Sequence, residues 1–515
     1  MDVIDVPVLI VGGGPAGLTA SLLLSRHGVE SLLVDERGEG ASRLPRARGV
    51  HARAMEIMRV CGIEADLRAV ELPITPGGRW QPRLTTPPIH EEVIAAAVPA
   101  GISPCEGLAV SQDVFESVLR MHARSYALAR LRLGTRLDRF DVTKAGIDAV
   151  VVDQVSARPV RVHARWMIAA DGAHSSIRDR LDIAMTGPDD LGSQTMIAFR
   201  ADLSAYTGAN PRGIYFLTDT GAVLIWTHPD DRWVISIPEA DTGHDGDPRS
   251  IVRDVLGVAD LPVDVYATNR WTAAAQTAHR YAHGPVFLTG DAAHRFPPTG
   301  ATGVSAAMHD VHNLAWKLAA VWHGHAGDTL LDSYALERQP VGRTTAEETG
   351  TAWTRMLTGN TMFAGRSLAQ LDMGYQYRSA VITSDASPDA DPPGADYQPT
   401  ATPGCRAPHL WLHTPQGRRS TIDLFDRHFV LLTTRAGRAW RHAAADAAQA
   451  MGVPVDRPVI DEPEWPQRYG VNPDGAVLVR PDGHVAWRAR ATPARHEPTV
   501  PDQIRAAIAT GLGRD

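Results

Sequence analysis

Pro7-Val-Leu-Ile-Val11-Gly12-Gly-Gly-Pro-Ala-Gly17 sets a short apolar run against a glycine-rich turn. Leu18, Leu22 and Leu23 follow at helical spacing, and Gly28 is placed to close that helix. A second apolar run, Leu32-Leu-Val34, ends at Asp35-Glu36. The order strand, turn, helix, strand predicts a βαβ unit. Gly12 permits the tight turn, Gly14 lets the backbone approach a pyrophosphate, and Gly17 allows the helix to pack closely on the strand. Pro15 and Ala16 open a helix whose N-terminus offers free N–H groups to an anion. Asp35, 23 residues past Gly12, is placed to accept hydrogen bonds from ribose hydroxyls, and strand alternation turns its neighbour Glu36 the other way. This motif alone does not separate NAD(P) from FAD.

Two further motifs lie downstream. Gly284-Pro-Val-Phe-Leu-Thr-Gly290-Asp291 reads as a buried strand ending in an acid suited to the ribityl chain of a flavin. Ala292-Ala-His-Arg-Phe-Pro-Pro298-Thr-Gly300-Ala301-Thr302-Gly303 then leads into an amphipathic helix to about His323. The start of that helix would face the flavin edge that becomes anionic on reduction. Between the first and last motifs, Asp171-Gly-Ala-His-Ser-Ser-Ile-Arg178 follows another apolar strand.

In this order, GxGxxG, DGxxSxxR and GDAAH…PPxGxxG resemble the FAD fingerprints of the class A flavoprotein monooxygenases with the p-hydroxybenzoate hydroxylase fold. Arg46 in Pro45-Arg-Ala-Arg48, Asn313-Leu-Ala-Trp-Lys-Leu318 and Glu337-Arg338 are similar to further family features. The details look closest to the aromatic polyketide hydroxylases and to antibiotic-modifying relatives such as rifampicin monooxygenase.

The resemblance implies that Asp35 holds the adenosine ribose and Asp291 the ribityl chain. It places Gly290, Pro298, Gly300, Ala301, Thr302, Gly303 and Val304 around the flavin, with Gln112 contacting the cofactor. Arg46 would lie where the flavin swings between two positions, and Asp171 and Arg178 would support both FAD binding and reduction. His294 is read as a structural hydrogen-bonding residue. One departure stands out: where relatives read Gly-Gly-x-Gly-x-Asn, this chain has Ala301 and Ser305.

The expected fold class is α/β. A Rossmann-like FAD-binding domain (1–181 and 279–382) carries an inserted antiparallel-sheet substrate domain (182–278). A Ser-, Asp- and Pro-rich linker (383–403) leads to a C-terminal unit (404–515) that resembles a thioredoxin-like domain without CxxC. Within the insert, Met196–Phe199, Ile214–Leu217, Val223–Trp226 and Trp233–Ile237 read as short strands separated by turns. In the family such a sheet roofs the substrate pocket, which Tyr215, Phe216, Trp226 and Trp233 could line, about half of them by alternation; Tyr215 and Trp226, with Phe296, are the candidate lining residues. Val477–Val479 and Val485–Trp487 should pair around Pro481-Asp-Gly483.

Composition narrows the function classes. The net charge of −8 makes nucleic acid a poor partner. The 3 cysteines, with no CxxC, argue against a disulfide scaffold or a zinc ribbon, so no metal is expected. No apolar run suits a membrane span and no export signal opens the chain, so a cytoplasmic monomer or homodimer is expected. Only Lys144 and Lys317 are lysines.

The resulting expectation is an enzyme that hydroxylates a polycyclic aromatic or polyketide-like substrate. As the resemblance implies, NAD(P)H (NADPH favoured) reduces FAD, O2 adds at C4a, and the hydroperoxyflavin transfers one oxygen. Baeyer–Villiger oxygenation by the same cofactor and a non-catalytic flavoprotein binding module are the alternatives. Halogenation is disfavoured: Trp233-Val-Ile-Ser-Ile-Pro238 lacks the second Trp of the halogenase signature, having Ile235 there, and neither lysine is suitably placed.

Overall fold

The strand Asp2–Val11 lies inside a sheet in the order Ala282–His283, Val286–Leu288, Pro159–Ala169, Asp2–Val11, Ser31–Asp35, Ala129–Leu133. All but the first of these pairings are parallel. Parallel strands need cover on both faces, and the runs Val6–Val11 and Ser31–Asp35 are buried accordingly. The computed structural model describes residues 2–39, 49–92, 98–208, 211–239, 246–357, 365–387, 396–415, 417–494 and 496–514.

Register gathers the three fingerprints. Val11 pairs with Val34 on one side and Ala169 on the other, and Ala169 pairs with Leu288. The segments that follow (Gly12, Asp171 and Gly290) therefore leave the sheet at one edge. Crevices at the carboxyl ends of parallel strands are where open α/β sheets bind ligands. The helices Pro15–Arg26 and Thr302–Trp322 pack side by side and both begin at this edge.

The second sheet has seven strands: Asp264–Thr272, Ser193–Arg200, Arg232–Pro238, Ala222–His228, Arg212–Leu217, Thr75–Gln81 and His90–Glu92. The four strands expected in the insert are all present. The structure adds one correction to the boundaries. Residues 75–92, assigned by sequence to the FAD-binding part, supply two strands of this sheet, and Thr75–Gln81 runs parallel to Arg212–Leu217. Backbone pairing places that segment with the insert despite a separation of more than 100 residues.

The C-terminal unit has a sheet in the order Val455–Asp456, Phe429–Thr433, Ala476–Val479, Val485–Ala489, and the last two strands form the expected hairpin. It is locked to the FAD-binding part by buried charge. Arg480 donates to Glu337 at 2.7 and 2.9 Å, Lys317 Nζ donates to the same carboxylate at 2.8 Å, and Arg480 also pairs with Asp482. A second set joins Arg406 and Arg53 to Glu56. The described flanks of 383–403 are not a free linker. Thr383 donates its N–H to Ala486 O, Arg488 pairs with Asp385 at 2.6 Å, and Tyr397 and Ala401 are buried. All three cysteines are buried.

Candidate active site

At the first turn, Gly12 takes φ 107°, and a Cβ there would lie 2.1 Å from Ala170 O. A Cβ on Gly17 would lie 1.9 Å from Gly12 O. Both positions therefore require glycine. Gly14 caps the helix Pro15–Arg26 without a side-chain hydrogen bond, so the first N–H groups stay free for an anion. The nearest atom to a Cβ on Gly14 is Glu116 Oε1, 4.0 Å away.

Asp35 is buried beside this turn, where its carboxylate accepts from the Gly13 N–H and from Arg37 Nε and Nη2 at 3.1 and 3.0 Å. Glu36 is exposed, as alternation predicts. Gln112 donates to Glu116 Oε1 at 2.7 Å, and Arg37 Nη1 lies 3.6 Å from Glu116 Oε2. Burial raises the Glu116 carboxyl above the ordinary range, against the pull of Gln112 and Arg37. Sequence reasoning missed Arg37 and Glu116. The i,i+4 spacing of Gln112 and Glu116 on one helix was the available signal.

In the second fingerprint Asp171 accepts from Ser175 Oγ at 2.6 Å and from the Ile177 N–H at 3.2 Å, while burial raises its carboxyl. Arg178 bonds Ala173 O at 3.3 Å and Ala292 O at 3.4 Å. These two residues thus shape their loop and stitch it to the third fingerprint.

That third fingerprint is organised by Asp310, which sequence reasoning also missed. Its Oδ2 accepts the Gly290 N–H at 3.0 Å and lies 2.8 Å from His294 Nε2, and its Oδ1 accepts from Arg338 Nε at 2.8 Å. His294 is fully buried and stacks on Phe296 at 4.4 Å. Asp291 is exposed on the turn Gly290–Ala292 and has no hydrogen-bond partner among the described residues. Pro298 is exposed, and Thr299 is tied to Thr349 O at 2.8 Å.

Gly300 and Ala301 both take left-handed φ, 74° and 54°, just before the helix that Thr302, Gly303 and Val304 begin. Ala301 caps that helix without a side-chain hydrogen bond, and a Cβ on Gly303 would meet nothing within 4 Å. Ser305 is buried, and its Oγ accepts the His51 N–H at 2.9 Å. Arg46 lies outside the described residues.

Two long helices thus begin uncapped on one edge, with the free carboxylate of Asp291 at the same edge. This arrangement fits a flavin dinucleotide: the pyrophosphate suits Gly12–Gly17, and the flavin ring suits Gly300–Val304. Among the described residues no group of three or more His, Cys, Asp or Glu is placed to hold a metal ion.

The roof corrects two expectations. Tyr215 is fully buried and Trp226 nearly so, both in the core that the insert makes with the helix Pro248–Leu256. Tyr215 OH accepts the Arg212 N–H at 2.9 Å. Alternation sends their neighbours to the opposite face, where Met196, Ile214, Phe216, Val223 and Ile225 are only half-buried. Of the four aromatics, Phe216, stacked on Trp80 at 4.5 Å, is the one on this face, and with Ile225 it takes the place of Tyr215 and Trp226 as a lining candidate. Phe296 is half-buried on the third-fingerprint loop.

Residues 5–349 match the FAD binding domain family, and residues 400–514 match the family described as aromatic-ring hydroxylase, C-terminal. The chain belongs to the FAD-dependent aromatic-ring hydroxylases. It is 37% identical to tetracenomycin B2 monooxygenase-dioxygenase of Streptomyces olivaceus, over 99% of each chain. It is 34% identical to aklavinone 12-hydroxylase of Streptomyces peucetius, over 85% of this chain and 93% of that one. The flavin-dependent monooxygenase PieE, solved with FAD and substrate, superposes with TM-score 0.88 at 30% identity, covering 99% of this chain and 100% of PieE. Aklavinone-11 hydroxylase, solved with FAD and aklavinone, gives TM-score 0.87 at 30% identity, over 99% of both chains. This hydroxylase is therefore a class A flavin monooxygenase with an FAD-binding domain. Among its described residues no helix is long and apolar enough to cross a membrane.

Proposed function

We propose that this enzyme uses NAD(P)H and O2 to hydroxylate a polycyclic aromatic substrate of the polyketide type. Bound FAD, once reduced, supplies the activation of O2 for transfer of one oxygen atom. Residues Gly12–Gly17 and Asp35 would hold the dinucleotide end, Asp291 the ribityl chain, and Gly300–Val304 the ring.

The chain's own contribution is position and polarity. The uncapped start of the helix Thr302–Trp322 would offer its free N–H groups to negative charge developing in bound FAD, without reorganisation at the moment of reaction. His294 and Arg338, both drawn to Asp310, fix the turn that carries Asp291. The half-buried apolar face of the roof offers a wide surface to a flat ring system and excludes water from it.

The observation that carries this reading is the likeness, over 99% of this chain, to a relative named for tetracenomycin and to aklavinone-11 hydroxylase, combined with that face. The test is incubation of the FAD-loaded enzyme with tetracyclic polyketides and NAD(P)H under air. The reading requires substrate-dependent NAD(P)H oxidation and a product heavier by one oxygen. NMR of the product then separates ring hydroxylation from Baeyer–Villiger insertion, and an inserted ester oxygen would refute hydroxylation.

A further inference from the structure

Behind the turn Gly300–Ala301 lies a cavity of about 10 Å³, lined by His51, Thr302, Ser305, His309, Arg338 and Asp372 among others. Three buried polar atoms around it have no hydrogen-bond partner among the described residues: Thr302 Oγ1, His309 Nε2 and Asp372 Oδ1. Their residues are 5%, 5% and 4% exposed. A site of this size, near the lower limit for one water, with two to four polar partners is the ordinary setting of a buried water.

His51 connects this cavity to the turn. Its Nε2 donates to Gly300 O at 2.7 Å, its backbone N–H donates to Ser305 Oγ at 2.9 Å, and its Nδ1 faces Asp372 Oδ1 at 3.6 Å. A ring that donates through Nε2 and is neutral carries a lone pair on Nδ1, which would then confront a carboxylate oxygen. Only the doubly protonated ring suits both neighbours. His309 Nε2 lies 3.6 Å from the same oxygen. Asp372 Oδ2 is already engaged by the Arg53 N–H at 3.0 Å.

The turn needs such a clamp. Ala301 holds a left-handed conformation at φ 54° that a residue with a Cβ resists, and no side chain caps the helix it precedes. A hydrogen bond to Gly300 O and another to Ser305 brace the turn from both sides.

We propose that His51, as its imidazolium, is the positioning residue of the flavin-facing turn, and that the cavity behind it binds one water shared by Asp372, His309 and Thr302. The charged groups around it come from four elements. Asp372 lies on Leu368–Met373, His309 on Thr302–Trp322 and Arg338 on Thr329–Leu357, and Arg53 follows on the helix Ala52–Val60. Arg338 is committed to Asp310, and Arg53 to Glu56 and Asp482 O, so Asp372 is the counter-ion left for His51. Burial opposes a charge on His51, but Asp372 and Gly300 O outweigh it and hold its pKa above the ordinary histidine value. Burial, with Arg338 and Arg53, keeps His309 neutral. Because the folded-state pKa of His51 is raised, the clamp is fully present below the ordinary value and is lost as pH rises through the raised one.

The experiment measures FAD affinity by flavin fluorescence from about pH 6 to 9, with neither NAD(P)H nor substrate present, so it stands apart from the hydroxylation proposal. Wild-type affinity should fall by about tenfold across a single proton loss, the scale of one charge-assisted hydrogen bond. His51→Gln keeps an N–H for Gly300 and should bind FAD with no pH step. His51→Phe should bind about tenfold more weakly at low pH. Asp372→Asn should move the step to lower pH. A crystal structure should show an ordered water within reach of Asp372 Oδ1 and His309 Nε2. The same step in His51→Gln, or a flat wild-type profile, would overturn the clamp whether or not the other variants fold. An ordered structure without that water would overturn the water site.

Discussion

His294 Nε2 lies 2.8 Å from Asp310 Oδ2, and neither side chain is exposed. The histidine of the third fingerprint is thus committed to holding a turn. With one oxygen of Asp310 on His294 and Gly290 and the other on Arg338, this carboxylate binds three segments together. Asp310→Ala leaves Arg338 buried and unpaired, which should cost about 3–5 kcal/mol in urea unfolding and lower flavin occupancy. His294→Gln, which can still donate to Asp310, should keep the flavin and its reduction rate within severalfold. Loss of a pH-dependent limb in that variant's rate would mark His294 as a base instead.

Glu337 anchors the C-terminal unit. Although burial opposes its charge, Arg480 and Lys317 hold its carboxyl down to about 2. A depressed acid contributes stability that is present above its ordinary value of 4.5 and is lost as pH falls toward 2. Burial lowers Lys317 from 10.5 to about 8, so between those values the unfolded chain binds more protons and stability should rise with pH. Melting temperature against pH should show both limbs. Lys317→Met should flatten the alkaline one, and Glu337→Ala should cost about 3–5 kcal/mol by leaving Lys317 buried without its carboxylate, while Arg480 keeps Asp482.

Asp291 is exposed and without a partner among the described residues, which suits a residue reserved for a ligand. Asp291→Ala should leave the melting temperature of the apoprotein unchanged. It should weaken FAD binding by about tenfold to a hundredfold, the scale of a hydrogen bond to a charged group. Absorbance of retained flavin after gel filtration reads the difference. Full retention would reject the assignment.

The two faces of the roof should respond differently to mutation. Tyr215→Ala opens a cavity in a packed core and should cost about 3–5 kcal/mol of stability. Phe216→Ala and Ile225→Trp alter the half-buried face and should change KM for a polycyclic substrate severalfold with little effect on melting temperature. Unchanged KM in both would move the pocket elsewhere.

How far these features could be read in advance follows from the range of the forces involved. The glycine turns at Gly12 and Gly17, the strand ends at Asp35 and Asp171, and the hairpin around Pro481 are local, and local steric rules place them. Which face of the roof meets the pocket is not local. Alternation gives two faces, but packing against the helix Pro248–Leu256 decides between them, and this is why the sequence alone does not separate Tyr215 and Trp226 from Phe216. The strands within 75–92 and the carboxylates of Asp310 and Asp372 matter through partners far away in the chain, with no signature at their own positions. Ser305 is the clearest case. In the sequence it reads only as a departure from the family's Asn, whereas in the fold it receives the His51 N–H.

The central claim is that bound FAD and the apolar roof together carry out oxygen transfer to a polycyclic aromatic. The most direct test is single-turnover oxidation of the FAD-loaded enzyme, reduced beforehand, with a tetracyclic polyketide under ¹⁸O-labelled O2. The account predicts one ¹⁸O atom on a ring carbon of the product. Reoxidation of the flavin that leaves every candidate substrate unlabelled would contradict it.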